Sequence, residues 1–331
     1  MKQVTISSQD SGQRLDKFLG KYLNKAPKSF LYKMLRKKNI TLNGKKATGS
    51  EMLNPGDEIK LFFSDETVEK FSEVSVPKTE GTVEVVYEDE HILLMNKPLN
   101  VLSQKAKPED VSMVELLMSY LFSTGAITEE SLRTFRPSVV NRLDRNTSGI
   151  LAVGKDLKGA QFLSQLFKDR TVHKYYYCLV KGVVKESAHI EGWLFKDEKT
   201  NKVSVSRTQR SKEDLPIETQ YVPVDSNGDV TLLKVLLITG RSHQIRAHLA
   251  SIGHPIVGDF KYGNPKVNAA YEKEFHLTHQ LLHAGILIMP KLTGDFAYLS
   301  EKVFTAPLPK KFARILDKKG LHLCPHGTPG D

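Results

Sequence analysis

Apolar residues at Leu15, Phe18, Leu19, Tyr22 and Leu23 follow the i, i+3, i+4, i+7, i+8 spacing of a helix with one buried face. A second helix is predicted from Ser29, with Phe30, Leu31, Met34 and Leu35 inward and Lys33, Arg36, Lys37 and Lys38 outward. Ile40-Thr41-Leu42 then meets Asn43-Gly44, a pair that favours the two-residue hairpin turn. Pro55-Gly56-Asp57 marks another turn, and Ile59, Leu61 and Phe63 alternate as a closing strand. The pattern is two helices on a small sheet, with a cationic ridge from one helix end and Lys45 and Lys46 of the hairpin.

Residues 64–82 are poor in apolar side chains, acidic, and contain Pro77 and Gly81, so a flexible linker is expected there. Beyond it, residues 83–87 and 92–95 read as strands, the second ended by Lys97-Pro98. Asp110 or Ser112 can cap a helix running to Leu121. Residues 139–140 and 150–153 are apolar strand-like runs around a polar stretch, 141–149. Leu157, Ala160, Leu163, Leu166 and Phe167 mark a helix, and residues 175–180 and 232–238 are strongly β. Ser242 is the expected N-cap of a helix that Gly253 stops. Strands dominate without regular alternation with helices, which argues for an α+β fold rather than a doubly wound sheet.

Composition adds a frame. The 331 residues are 40% hydrophobic and 26% charged, ordinary globular values that exclude a collagen-like or wholly disordered chain. No apolar run approaches the ~20 residues of a membrane helix, and none precedes the polar N-terminal residues, so neither a membrane span nor a secretory signal is expected. Two cysteines, Cys178 and Cys324, make no disulfide framework, which fits a cytoplasmic protein. The net charge is +10. Residues 1–63 hold 13 Lys/Arg against 5 Asp/Glu, whereas residues 64–90 hold 2 Lys against 9 Asp/Glu. A basic module, an acidic connector and a basic body follow. Because three separate elements supply the first module's cations, nucleic-acid binding is favoured over a merely solvated helix face.

Three segments carry candidate chemistry. In Asn141-Arg142-Leu143-Asp144-Arg145-Asn146-Thr147-Ser148-Gly149 a carboxylate stands between two arginines, whose charges would keep it ionised. On a tight loop it is a candidate nucleophile or base, although an Asp satisfied by Arg in a turn is the simpler reading of these nine residues alone. In Thr239-Gly240-Arg241-Ser242-His243-Gln244-Ile245-Arg246-Ala247-His248, His243 and Arg246 would share a helix face, and the helix start with Arg241 suits a phosphate. His173-Lys174-Tyr175-Tyr176-Tyr177-Cys178 sets aromatics beside cations, with Tyr176 on the opposite strand face from Tyr175 and Tyr177. A zinc set from His243, His248, His254 and His283 lacks recognisable spacing, and His279 and His283 read as packing or surface residues. The Gly-x-Gly-x-x-Gly and Walker patterns are absent.

In order, these segments resemble the RluA family of RNA pseudouridine synthases over almost the whole chain. Residues 141–149 resemble the catalytic H-R-L-D-x-x-T-S-G, with Asn141 where many members have His. Glu88-Asp89-Glu90-His91 and the run through Lys97-Pro98 resemble the first core motif; Lys174 and Tyr176 resemble the family's separate K-x-Y. Residues 240–246 with Gly253-His254-Pro255-Ile256 and Gly258-Asp259 resemble the third motif, and Leu282-His283-Ala284 a later one. Asn100-Val101-Leu102-Ser103 is a loose match to the Gly-containing loop after the first motif. The N-terminal module is similar to the alpha-L RNA-binding module, and residues 26–46 are most similar to RluC-type enzymes acting on large-subunit rRNA, with RluD-type enzymes the near alternative.

The resemblance implies a catalytic domain, residues 83–318, with a central mixed, mostly antiparallel sheet, preceded by an RNA-binding module at 1–63 and followed by a tail at 319–331. It implies Asp144 as nucleophile, Tyr176 against the target base and Arg246 as ion-pair partner of Asp144, with Arg142, Lys174 and Arg241 as RNA phosphate contacts. It implies pseudouridine formation in large-subunit rRNA by a cytoplasmic monomer, with no metal, nucleotide cofactor or membrane. Whether Asp144 attacks the ribose or uracil stays open, as does a proton step at C5 assisted by Tyr176. The other readings are a non-catalytic rRNA-binding or ribosome-assembly factor and, less well supported, an RNA hydrolase using Asp144 and His243.

Overall fold

The computed structural model describes residues 1–7, 10–72, 79–197, 200 and 202–323. The first module comprises β1 (Lys2–Thr5), α1 (Leu15–Tyr22), α2 (Lys28–Arg36), β2 (Ile40–Leu42), β3 (Lys45–Lys46) and β4 (Glu58–Leu61). Its sheet order is β1-β4-β2-β3. Asn43 and Gly44 turn the β2–β3 hairpin with φ of 50° and 73°, as this turn requires. Phe18, Leu19, Tyr22, Leu31, Leu35, Ile40 and Ile59 form its core, and Lys33, Arg36, Lys37, Lys38, Lys45 and Lys46 stay exposed.

The expected linker begins as a helix instead. α3 (Asp65–Phe71) is capped by Ser64, whose Oγ accepts from Thr67 N. Asp65 and Glu66 suit the positive end of the helix dipole. Val68 is buried in the first core, and the Phe71 ring lies 4.7 Å from Phe30. Two apolar residues at i, i+3 are enough to dock an otherwise acidic segment. Pro77 lies outside the described residues.

The body continues with β5 (Glu84–Glu88), β6 (Ile92–Lys97), α4 (Met113–Ser123), α5 (Ser131–Thr134), β7 (Ser138–Val139), β8 (Ser148–Gly154), α6 (Leu157–Lys168) and β9 (His173–Lys181). Then come β10 (Ala188–Asp197), β11 (Lys202–Ser206), β12 (Leu215–Ser226), β13 (Val230–Leu237), α7 (Gln244–Ser251), α8 (Pro265–Phe275) and β14 (Leu282–Ile288). A 3₁₀ turn (Gly294–Leu299), β15 (Val303–Thr305) and α9 (Lys310–Lys318) complete the described elements.

Eleven of these strands form one sheet in the order β11-β10-β12-β13-β9-β14-β8-β6-β5, with β15 on β14 and β7 on β8. Among the described strands of that sheet, β8 and β14 pair in parallel and the other pairings are antiparallel, so the sheet is mixed and the fold α+β. The unbroken apolar run of β6 reflects cover on both faces. Leu93 and Met95 pack with α4 and Tyr176, while Ile92 and Leu94 pack with Leu163 of α6.

Ser112, rather than Asp110, caps α4, in a reciprocal capping box with Glu115. Ser242 does not cap α7. The N-cap is His243, at φ 54°, and Gln244 Oε1 reaches back to accept from Arg241 N at 3.0 Å. Gly253, at φ 90°, follows the end of α7. The start of the expected tail is packed: Leu321 is buried, and Lys319 O accepts from Asn227 Nδ2. Residues 324–331, including Cys324, lie outside the described residues.

Candidate active site

A cleft of about 860 Å³ opens between the loop before β8, the start of β9 and the start of α7. Arg142, Asp144, Lys174, Tyr176, Arg241 and Arg246 all line it. Asp144 belongs to the loop between β7 and β8, which is fixed at several points. Ser103 Oγ donates to Leu143 O at 2.8 Å and accepts from Leu143 N at 2.9 Å. Thr147 N donates to Asp144 O, and Gln280 Nε2 donates to Thr147 Oγ1. His283 Nε2 lies 3.1 Å from Ala306 O and so carries the ring hydrogen, which leaves Nδ1 to accept from Ser148 Oγ at 2.8 Å. Gly149 is required by close approach: a Cβ there would stand 2.2 Å from Ala284 O on β14.

Beneath the loop lies Lys97, fully buried, with Nζ donating to the carbonyls of Pro98, Val101 and Arg145 at 2.8, 2.7 and 3.0 Å. Burial pushes its ammonium down to about 7; the Asp144 charge opposes this, and Arg145 adds to it.

The arginines that flank Asp144 in sequence are exposed, and neither pairs with it among the described residues. Its partner is Arg246 of α7, whose Nη1 donates to Oδ2 at 2.8 Å. The opposite side of the same guanidinium grips buried Asp259, Nε to Oδ2 at 2.7 Å and Nη2 to Oδ1 at 3.0 Å. Burial opposes the Arg246 charge, but the bonds to and charges of Asp259 and Asp144 outweigh it, and its pKa rises. Asp259 is itself held ionised: burial raises its pKa, Arg246 and the N–H groups of Lys261 and Tyr262 lower it, and the net shift is downward.

Tyr176 on β9 is 6% exposed. Burial, then the Asp144 charge, raises its hydroxyl well above the ordinary phenol range, so it holds its proton at neutral pH and is no base there. Lys174 stacks its Nζ 5.7 Å from the Phe167 ring, and burial followed by Arg170 lowers its pKa. Arg241 Nε is buried and has no hydrogen-bond partner among the described residues.

His243 Nε2 lies 3.9 Å from Asp144 Oδ2. The other candidate zinc ligands are committed elsewhere: His248 to Thr219, His254 to Lys181 O and His283 to Ser148. Asn141 does not reach Asp144. It extends the β7–β8 pairing, with Oδ1 accepting from Ala152 N and Nδ2 donating to Ile150 O. Sequence reasoning assigned no role to Asp259, Lys97, Tyr262 or Ser103. For Lys97 there was a signal, a charged residue closing an apolar strand; Asp259 stood in a matched motif; Tyr262 gave none.

A basic helix-and-sheet module ahead of an α+β body with one carboxylate and its arginine in a cationic cleft describes an RNA-modifying class. Residues 91–251 match the family described as RNA pseudouridylate synthase, and residues 13–59 match the S4 domain. The chain belongs to the RNA pseudouridylate synthase family.

It is 32% identical over 325 residues to "Ribosomal large subunit pseudouridine synthase C" of Vibrio parahaemolyticus, covering 95% of each chain. It is 32% identical to the protein of that name from Escherichia coli K12, covering 87% of this chain and 88% of that one. Among solved structures it is similar to "Human RNA Pseudouridylate Synthase Domain Containing 4", with TM-score 0.58 and 22% identity, over 72% of this chain and 94% of that one. At that identity the likeness speaks for the fold.

Proposed function

We propose that this protein isomerises specific uridines to pseudouridine in large-subunit ribosomal RNA, with Asp144 as the reacting carboxylate. The observation that carries the reading is the Asp144–Arg246–Asp259 relay, which holds one partly exposed carboxylate in a cleft whose other charged lining residues are Lys and Arg. A target uridine flipped out of its stack enters that cleft. Tyr176 packs against uracil, and Arg142, Lys174 and Arg241 take flanking phosphates. The N1–C1′ bond breaks, uracil turns, and a C5–C1′ bond forms; C5 loses a proton and N1 gains one. Asp144 assists either by attack at C1′, which expels uracil and is undone when C5 displaces the carboxylate, or by addition to uracil C6, which is undone by elimination once the C5–C1′ bond has formed. Atoms and electrons balance without a metal or nucleotide. A single chain supplies every group named, so a monomer suffices.

The N-terminal module, which we extend to residue 72 because α3 packs on its core, adds sequence-distant RNA contacts. Chemical mapping of pseudouridine in rRNA from cells with and without the gene tests the reading. Identical maps would overturn it and favour a non-catalytic rRNA-binding role.

A further inference from the structure

The Asp144 carboxylate is held by one oxygen. Arg246 Nη1 donates to Oδ2 at 2.8 Å, and His243 Nε2 faces the same oxygen at 3.9 Å. Among the described residues Oδ1 takes no hydrogen bond, and the side chain is 28% exposed in the cleft it lines.

His243 adopts an unfavourable backbone to be there. Its φ of 54° and ψ of 16° lie in the left-handed region that side chains with a β-carbon seldom occupy. Its Nδ1 lies 2.9 Å from the Tyr262 hydroxyl. That hydroxyl accepts from Val203 N at 2.9 Å, so its own hydrogen is available to Nδ1. Nε2 is then the protonated nitrogen of a neutral ring, turned toward Asp144. The charged groups facing this ring are Asp144, Arg246, Lys261 and Asp259. Burial with the two cations outweighs the two carboxylates and keeps the imidazole below its ordinary pKa. Tyr262 also supports the opposite arm. Its ring lies 5.1 Å from the Arg246 guanidinium, and its N–H donates to Asp259 Oδ1 at 3.1 Å.

We propose that His243 and Tyr262 are a positioning pair for Asp144: with Arg246 they keep Oδ2 turned to the protein and leave Oδ1 as the oxygen that meets the target nucleotide. The inference rests on the reading of Asp144 as the reacting carboxylate. A carboxylate on a loop can otherwise rotate and offer either oxygen; the Arg246 bond to Oδ2, with the His243 N–H facing the same oxygen, restricts that freedom. The 3.9 Å separation is longer than a hydrogen bond, and such contacts in substrate-free sites tighten when the complex forms.

The test uses His243→Asn, Tyr262→Phe and the double variant in the full chain. Asn tolerates left-handed backbone, and Tyr262→Phe removes one oxygen, so the second variant carries the test if the first does not fold. Single-turnover pseudouridine formation and filter binding are measured on one large-subunit rRNA fragment. His243→Asn lowers the rate about 10- to 100-fold while affinity stays within about threefold. Tyr262→Phe lowers the rate about 10-fold, and the double variant is no slower than His243→Asn, because both act through one device. A wild-type rate in His243→Asn, parallel loss of rate and affinity, or losses that multiply would each overturn the pair. A wild-type protein inactive on every large-subunit fragment overturns the parent reading and this inference with it. An active wild type with unaffected variants overturns this inference alone.

Discussion

Lys97 Nζ and the main-chain oxygen of Arg145 lie 3.0 Å apart, which ties the end of core strand β6 to the residue that follows Asp144. The same ammonium holds Pro98 O and Val101 O, so three loop carbonyls depend on one buried group. Its three hydrogens match three acceptors.

Lys97→Met keeps the length and removes the donors. We expect a stability loss of about 2–3 kcal/mol, offset in part by the removal of a buried charge, and a slower single-turnover rate. The pH dependence has a fixed sign. With the native pKa near 7 and the unfolded one ordinary, the unfolded chain binds more protons between the two. The wild type therefore gains stability relative to Lys97→Met as pH climbs from about 7 to about 10. Urea midpoints across that range check both statements, and parallel curves would refute the second.

Segments whose local pattern and packing agree were readable from sequence. The stripe from Leu15 to Leu23, Asn43-Gly44 and the doubly covered Ile92–Lys97 strand are of this kind. α3 was not, because its acidic composition outweighed the two residues, Val68 and Phe71, that dock it. The α7 start was misread because Gln244, held by Thr239 and Arg241, replaces a local Ser cap. The pairing of Asp144 with Arg246 spans 102 residues, and no local pattern encodes it; resemblance alone suggested it. Asp259, Lys97 and Tyr262 touch Asp144 only through other groups; Lys97 and Asp259 left a trace in the sequence, at the end of an apolar strand and in a matched motif, whereas the partners they hold are set by the fold.

The motif resemblance sets Asn141 at a position of His, yet the Asn141 amide bonds lie along β8. Imidazole also offers one donor and one acceptor, but at a different spacing. Asn141→His is expected to cost about 1 kcal/mol of stability. Activity should stay within about tenfold, a barrier change under ~1.4 kcal/mol. A thermal melt and a single-turnover rate measure the two effects, and a much larger rate loss would show that this position reaches the chemistry.

The N-terminal module bears 13 Lys/Arg against 5 Asp/Glu over residues 1–63. It meets the body where Arg133 Nη1 donates to Ser72 Oγ and where Lys21 lies 5.9 Å from the Phe135 ring. Removal of residues 1–72 should leave the body folded, weaken binding to rRNA and flatten the dependence of affinity on salt, since fewer phosphates are neutralised. Filter binding at several salt concentrations reads this. An unchanged slope would mean that the module does not touch RNA.

Asp144→Asn separates chemistry from architecture. The amide preserves size but loses the charge, and under the proposed role of Asp144 as the reacting carboxylate no neighbour can imitate it, so turnover should vanish rather than weaken through KM. Arg246 is not left alone by the change, because Asp259 still grips it through two bonds. Asp144 is itself partly exposed, so the stability loss should stay under about 1 kcal/mol, that of a screened pair. RNA affinity should survive, since Arg142, Lys174 and Arg241 remain. Tritium release from C5-labelled uridine, filter binding and a melt on the same preparation resolve the alternatives. Wild-type tritium release by Asp144→Asn would remove the catalytic assignment. Loss of fold together with loss of binding would instead make Asp144 structural, whereas a folded, binding, inactive protein is the outcome that the Arg246–Asp259 pair predicts.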